Sequence, residues 1–476
     1  MAGFFMGKKA VITCAISYYP QALPRKFVKQ IRNNTYLNNS SYVSQPKATK
    51  QSIMKKFIYL TSILVCLIAY KATAQFTLSA EVRPRSEFRN GFKTLTDESK
   101  DPAFFTEQRS RLYMDYMDDK FKFKLALQDI RIWGETSQIF KEEYGKTFIS
   151  EAWGQYYFTP TFSVRAGRQI LSYDNQRFLG GLEWAQQGRR HDALLFQYEG
   201  IENKTKLHLG FAYNQDDDVA EPGFLQAPGA DFYSVGGNYK TMQFAWFNKG
   251  FGSSSLSLLA LNAGYQNAAD SSVSYKQTFG AIGSTSLGAV KLAGDFYYQT
   301  GSQGGNDISA LLAGVNATFK TPVTPLTLGV EYISGDDDPT DGKSNNFSPD
   351  FGTNHAHNGF MDYFFVGPAN GAVGVTDLYL KTKFNFAGGA LKVHAHEFLT
   401  GSTQVAGDGS ELEKTMGTEI DLVYGKQLAK GVTWNIGYSH MFATDTMEAL
   451  RGGDKGAIQN WAWTMLTFKP TLFTSK

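Results

Sequence analysis

Arginine is the residue whose distribution along this chain could do chemistry. Twelve arginines follow Gln75, and eleven of them lie between Arg83 and Arg190. Arg83, Arg85 and Arg89 interleave with Glu81 and Glu87. Arg109 and Arg111 follow, then Arg131, and then Arg165, Arg168, Arg177, Arg189 and Arg190 within the single stretch 164–199. A guanidinium is a rigid fork of donors that fits a carboxylate, and a ladder of them along one wall would guide an anionic solute. The same cations can instead be used up in pairs with Glu81, Glu87, Glu107, Glu151 and Asp129 that brace the wall, and both uses can coexist. Arg83, Arg85, Arg109, Arg111, Arg131, Arg165, Arg168, Arg177, Arg189 and Arg190 form the candidate pore-lining set.

The elements that must position them are strands. After residue 75 no apolar run is long enough for a membrane helix, and helical periodicity is missing. What repeats is a segment of about ten residues with alternating apolarity, closed by a turn. Eighteen such segments can be read, from 76–89, 107–118, 120–134, 148–158 and 162–172 through 190–200 and 273–287 to 415–428, 431–444 and 456–469. Connections after even-numbered segments are short, such as Asp119 and Gly388, whereas those after odd-numbered segments are mostly long, the longest being 215–238 and 335–373. Short turns on one side and long loops on the other predict an all-β fold: a closed antiparallel transmembrane barrel with periplasmic turns and extracellular loops. Alternation sets Leu112, Met114 and Tyr116 against Arg109, Arg111 and Tyr113, and Phe121, Phe123 and Leu125 against Lys122, Lys124 and Ala126. The apolar face should meet lipid and the polar face a wet lumen. Arg165 and Arg168 are three apart and so face opposite ways, and Arg168, at the loop end, is expected at the rim. Pro84 should mark a bulge or a late strand start.

The stretch 164–199 reads as a wide hairpin, VRAGRQILSYDNQRFLGGLEWAQQGRRHDALLFQYE, with a polar, Gly-containing loop between two alternating strands. Its G-R-Q…Q-R-x-x-G…W-x-Q-x-G-R…D pattern resembles the alginate-export family of outer-membrane β-barrels. The resemblance implies eighteen strands and an electropositive pore for a polyuronate. The positions that match are Gly167-Arg168-Gln169, Arg177, Trp184, Gly188-Arg189 and Asp192.

Residues 54–74 read as a secretory signal peptide: Lys55 and Lys56, an apolar run from Phe57 to Tyr70, then Ala72-Thr73-Ala74 as the cleavage site. Residues 1–53, basic and without acidic residues, are expected to be a mis-assigned start or a disordered extension, leaving 75–476 as the barrel. The whole chain is +3, but residues 1–75 hold eleven of the 47 basic residues and none of the 44 acidic ones, so the remainder carries −8. A nucleic-acid-binding reading from net charge loses its support. Both cysteines, Cys14 and Cys66, precede residue 75, which leaves no disulfide or thiolate metal site in the mature protein.

No cofactor or metal is expected. Asp336, Asp337, Asp338 and Asp341 in the long 335–373 loop would offer oxygen ligands to Ca²⁺, but solvated loop acid is the plainer reading. His355 with His357, and His394 with His396, fall on one face each, for which polar lumen lining is the plainer reading than a metal site. Tyr156-Tyr157, Tyr297-Tyr298 and Trp461-x-Trp463 suit aromatic belts at the lipid interfaces. Neither a G-x-S-x-G elbow nor a zinc-helix motif is present, so an enzyme is not expected. The expected function is an outer-membrane porin or exporter for an anionic solute, with a polyuronate first. A general or small-anion uptake porin is the alternative, and a non-conducting barrel enzyme comes third. Expected partners are outer-membrane lipid, the anionic solute and the barrel-assembly machinery, with the barrel as a monomer.

Overall fold

A computed structural model of the protein describes residues 74–139, 146–215, 238–338, 340–365 and 373–475. The signal-peptide and extension readings fall outside these residues. The strands are β1 (Gln75–Asn90), β2 (Ala103–Met117), β3 (Phe121–Ile132), β4 (Thr147–Tyr157), β5 (Phe162–Gln169), β6 (His191–Gly200), β7 (Thr205–Tyr213), β8 (Thr241–Phe251), β9 (Ser254–Gln266), β10 (Val273–Leu287), β11 (Val290–Gln303), β12 (Asn306–Phe319), β13 (Leu326–Ile333), β14 (Val375–Phe386), β15 (Gly389–Leu399), β16 (Thr415–Ala429), β17 (Val432–Ala443) and β18 (Gln459–Phe468). Each pairs antiparallel with the next. β18 pairs with β1 from Val82↔Phe468 to Asn90↔Asn460, which closes the sheet. Closure leaves no edge, so backbone N–H and C=O groups facing hydrocarbon are satisfied. The expected eighteen-stranded barrel is therefore observed among the described residues, with short connections after even strands and mostly long ones after odd strands, the two-residue link between β11 and β12 being the exception.

Burial is inverted relative to a water-soluble protein. Phe121, Phe123, Leu127 and Leu422 are exposed on the outer face, while Arg109, Arg111, Gln128, Glu419 and Asp421 are buried inside. Cross-strand partners share a face: Leu112↔Leu127 and Met114↔Leu125 point out, Arg111↔Gln128 points in. Pro84 produces no bulge. β1 runs unbroken from Gln75 to Asn90 and keeps one register with β2. Its ladder to β18 passes from Val82↔Phe468 to Arg85↔Met465 without a shift, so the missing proline N–H is absorbed at the closing seam. Beyond Pro470 the chain resumes as Thr471–Thr474, placing Phe473 opposite Leu78, with a bulge at Leu78/Ser79.

Two expectations need correction. The 335–373 loop does not stay outside. Phe347, Phe351, Met361, Tyr363 and Phe364 are buried, and the loop touches inward-facing residues of β10, β11, β13 and β16 through Lys276–Asp350, Gln299–Ser348, Asn358–Glu331 and Met361–Glu419. The lumen therefore holds a packed apolar plug rather than water alone. Its apolar loop side chains gain by leaving water, a free energy that favours docking inward. The aromatic pairs also divide differently. Trp461 and Trp463 share the inner face and are buried, and Tyr297 is buried while its neighbour Tyr298 is exposed. Successive residues of a strand face opposite ways, so a Tyr-Tyr pair can supply only one lipid-facing ring.

A short helix, α1 (Asp445–Arg451), sits in the β17–β18 connection. Thr444 Oγ1 accepts from the Met447 N–H at its start, Asp445 and Glu448 lie in the first turn, and buried Met447 anchors it. Seven residues are too few for the 3.6-residue period to be read from sequence.

Candidate functional site

The site is built where the loop between β5 and β6 folds back against β1 and β2. Gly167, with φ +118°, lies within β5 two residues before its end: a Cβ there would lie 2.2 Å from the Ala152 carbonyl oxygen, so only glycine fits. Gly188, with φ +68°, likewise adopts a left-handed conformation before β6. These two glycines explain two positions of the family-like pattern in physical terms. Asp174, Gln176 and Leu182 also adopt positive φ, a strain held by surrounding contacts. Trp246 Nε1 and Ser257 Oγ donate to Asp174, and Gln176 accepts from Thr353 through both backbone and side chain.

Four strand arginines grip this loop. Arg83 donates to the carbonyls of Glu183 and Trp184 at 2.8 and 3.0 Å and to Gln186 Oε1 at 3.0 Å. Arg85 donates to the Trp184 carbonyl and pairs with Glu87 at 2.7 Å and Glu107 at 3.0 Å. Arg109 pairs with Glu81 at 2.5 Å and with Glu183 at 3.2 Å. Arg111 pairs with Glu183 at 2.6 Å and donates to Gln128. From the loop itself Arg190 reaches Glu183 at 2.7 Å. Burial pushes the Glu183 carboxyl up, but Arg111, Arg190 and Arg109 outweigh it and hold it at about 2.

The other predicted arginines divide in three ways. Arg165 faces inward, donates twice to Gln155 Oε1 and stacks 4.3 Å from the Trp153 ring centroid. Arg189 donates to the Gly352 carbonyl, and Arg177 is fully buried, crossing to Glu331 at 2.5 Å and Asn358 at 2.8 Å. Arg131 and Arg168 do not line the lumen. Arg168 pairs with exposed Asp192 at 2.9 Å near the end of β5, the rim position expected for it. Arg131 stands opposite Gln108, one step from the inward Arg109, so parity turns it outward, where it pairs with Asp129.

The two infolded loops also lock to each other. Leu179 and Phe351 form a parallel bridge, the Gly180 N–H donates to the Phe351 carbonyl, and the Thr353 N–H donates to the Gln176 carbonyl. Trp184 stacks on His355 with centroids 4.7 Å apart and meets Trp463 edge-on at 4.8 Å. The acidic loop residues are not drawn together into a cation site. Asp338 accepts from Thr340, Asp341 accepts from the Lys343 N–H, and Asp336 is buried while Asp337, Asp338 and Asp341 are exposed. Sequence reasoning did not single out Glu183, the carboxylate on which three arginines converge. It lies inside the quoted pattern, two positions after a Gly-Gly pair, and nothing local marks it as a hub.

Comparison with known proteins agrees with this geometry. A family model described as alginate export matches residues 74–458. No curated protein matches the chain. Among solved structures, Pseudomonas aeruginosa OccK10 (OpdN) superposes with a TM-score of 0.54 at 12% identity, covering 84% of this chain and 99% of that one. P. aeruginosa OccK2 (OpdF) in complex with glucuronate gives 0.52 at 13%, covering 84% and 97%. Acinetobacter baumannii OccAB4 gives 0.54 at 10%, covering 84% and 99%. At such identities these likenesses show the fold. A closed barrel of eighteen strands, an apolar outer face, and the arginine-bearing hairpin seated inside a match of nearly the whole barrel together place the chain in the alginate export family, as a porin- or exporter-type protein of the outer membrane and not an enzyme.

Proposed function

We propose that the barrel passes an anionic solute along the wall formed by β1, β2, β5 and the docked loop, with a polyuronate as the solute class. The observation that carries this reading is an excess of cation. Arg83, Arg165 and Arg189 make no salt bridge among the described residues; they are held by carbonyls, amide oxygens and an aromatic ring. Their charge is therefore positioned without a directly paired carboxylate, and inside the lumen it attracts carboxylates more strongly than in open water. The remaining arginines are largely paired with Glu81, Glu87, Glu107 and Glu183, which makes them braces for the loop that narrows the passage. The family's description as alginate export favours a polymer of uronate units. The structure of OccK2 (OpdF) was obtained with a single uronate, glucuronate, which supports keeping small-anion uptake as the second reading.

The barrel is taken to act as a monomer, inserted by the barrel-assembly machinery after removal of a signal peptide. The start of β1 at Gln75 supports cleavage after Ala74. The test is single-channel current across a planar bilayer with three blockers: alginate oligomers, glucuronate and phosphate. Block by the oligomers at concentrations where glucuronate and phosphate have no effect is expected. Equal block by all three would favour the small-anion reading, and absence of conductance would sink both.

A further inference from the structure

The wall from β13 to β16 carries the opposite charge. Four of its inward carboxyls, Glu331, Asp377, Glu419 and Asp421, are buried. Arg177 takes up Glu331, and Lys381 stands among Asp377, Glu331 and Asp421. Two fixed cations against four carboxyls leave a negative excess in a place where unpaired charge is costly. That excess concentrates on a two-by-two patch: His394 pairs across the ladder with Asp421, and His396 with Glu419.

In two of these four residues one polar atom is tied down and the other is not. His396 Nδ1 lies 2.9 Å from both oxygens of Asp377, which fixes the proton on Nδ1 and leaves Nε2 with its lone pair. Ser439 donates to Asp421 Oδ1, and Asp421 Oδ2 has no hydrogen-bond partner. The Met361 N–H donates to Glu419 Oε1 at 2.8 Å, and the rest of the Glu419 carboxyl lies against Asp421. The fourth residue, His394, leaves Nδ1 equally without a partner. His396 Nε2 and Asp421 Oδ2 face each other at 3.9 Å, beyond hydrogen-bond length. A lone pair and a carboxylate oxygen held apart in this way repel unless a cation lies between them or the carboxyl carries a proton. Ligand atoms of His394, His396 and Asp421 all lie within 4.8 Å of one another.

We propose that His394, His396 and Asp421 bind a divalent first-row transition-metal ion, with a water completing its coordination. Metal bonds of about 2.0–2.2 Å set neighbouring ligand atoms of a tetrahedron about 3.3–3.6 Å apart, so side chains whose ligand atoms now lie up to 4.8 Å apart close around the ion by roughly 1 Å. Two imidazoles disfavour Ca²⁺ and Mg²⁺, and the absence of thiolates points to an imidazole–carboxylate ion such as zinc. Asp377 on His396 and Ser439 on Asp421 then form the outer hydrogen bonds that orient the ligands. Because Phe360 packs 5.2 Å from the His394 ring and neighbouring Met361 is held by Glu419, an ion on His394 stiffens the seat of the infolded loop on the wall.

The test uses the full-length protein, purified in detergent, stripped with a chelator, and titrated with zinc and separately with cobalt. One equivalent of zinc and a visible cobalt absorption of four-coordinate type with imidazole ligands are expected. His394→Gln/His396→Gln should abolish both while retaining heat-modifiable gel migration, and Ser439→Ala should weaken zinc binding by about 10–100-fold. Wild-type protein that takes up neither metal would overturn the proposal and leave a proton shared between Glu419 and Asp421 as the way this charge is neutralised. An unchanged cobalt spectrum in the folded double variant would overturn it as well. If that variant does not fold, the wild-type titration and Ser439→Ala still decide the outcome.

Discussion

The Arg85 guanidinium lies over the Trp184 ring, 4.1 Å from its centroid, and donates to the carbonyl of the same residue at 2.7 Å. One strand residue thus holds both the backbone and the side chain of a loop residue 99 positions away. The ring is further enclosed by His355, Trp461 and Trp463. Trp184→Ala should remove this anchor and, because the ring is half-buried, cost the docked loop somewhat less than the about 3–5 kcal/mol of a fully buried aromatic. The barrel ladders are untouched, so heat-modifiable migration should persist while single-channel conductance rises and becomes noisy. Unchanged, quiet conductance would show that the loop is held without Trp184.

Neutralising arginines should give two distinguishable phenotypes. Arg165→Gln removes a cation with no carboxylate partner, so anion preference, read as reversal potential in a salt gradient, should fall while stability barely changes. The difference from wild type should shrink at high salt, where screening acts within about 3 Å at 1 M. Arg109→Gln instead leaves buried Glu81 with Lys469 at 3.7 Å as its only ion-pair partner among the described residues, and a loss approaching the about 3–5 kcal/mol of a broken buried pair is expected on thermal unfolding in detergent. If Arg165→Gln leaves the reversal potential unchanged, the proposed solute path is wrong.

Glu183 makes loop docking pH-dependent. Its carboxyl is held at about 2 against an ordinary 4.5, so its contribution is fully present above 4.5 and is lost as pH falls toward 2. Conductance should therefore be steady at every pH above 4.5 and drift toward the Trp184→Ala behaviour below it. Glu183→Gln should show that behaviour already at neutral pH, because Arg111 and Arg190 lose their shared partner. A pH-independent wild type would count against the carboxylate as the hub.

Arg177 and Glu331 form a buried pair across the lumen. Arg177→Met alone should destabilise by about 3–5 kcal/mol, since it leaves Glu331 without its cation. Arg177→Met/Glu331→Leu should recover much of that loss, because removing both charges also removes the desolvation cost. Thermal unfolding of both variants checks it, and a double variant no better than the single would mean the pair matters for more than charge balance.

Asp337, Asp338 and Asp341 are exposed loop acids that hold only local turns. Replacing the three with Asn should leave gel migration and conductance unchanged, with or without a chelator. A chelator-sensitive loss in the wild type that the triple variant lacks would reveal calcium there.

Most of the barrel was legible in the sequence. β10 occupies 273–287, the bounds read from alternation alone, and every other strand falls close to its expected segment. In lipid a strand can satisfy its backbone only by pairing with neighbours, and one face must be apolar, so the local period of two carries the fold. The site was legible only in part. Composition clusters Arg131 with the lumen arginines; its parity relative to Arg109 shows the outer face only once the β2–β3 register is known. Trp461 and Trp463 read as belt residues because aromatic alternation looks the same on either face. They are buried because Trp184 and His355 come to meet them from two different loops.

By itself the sequence determined the fold class, the number of strands, the side on which the loops lie and the concentration of arginine near the first and fifth strands. All of these follow from patterns local to a few residues. Only the tertiary structure decided what the long loops do. Gln176 meets Thr353, Arg177 meets Glu331, and Met361 meets Glu419 across separations that carry no periodic signal. Those contacts convert a wide barrel into a plugged one and turn most of the arginines from a free ladder into braces. Docking of a loop depends on shape and charge matched between distant segments, and that match exists only after the barrel has closed around them.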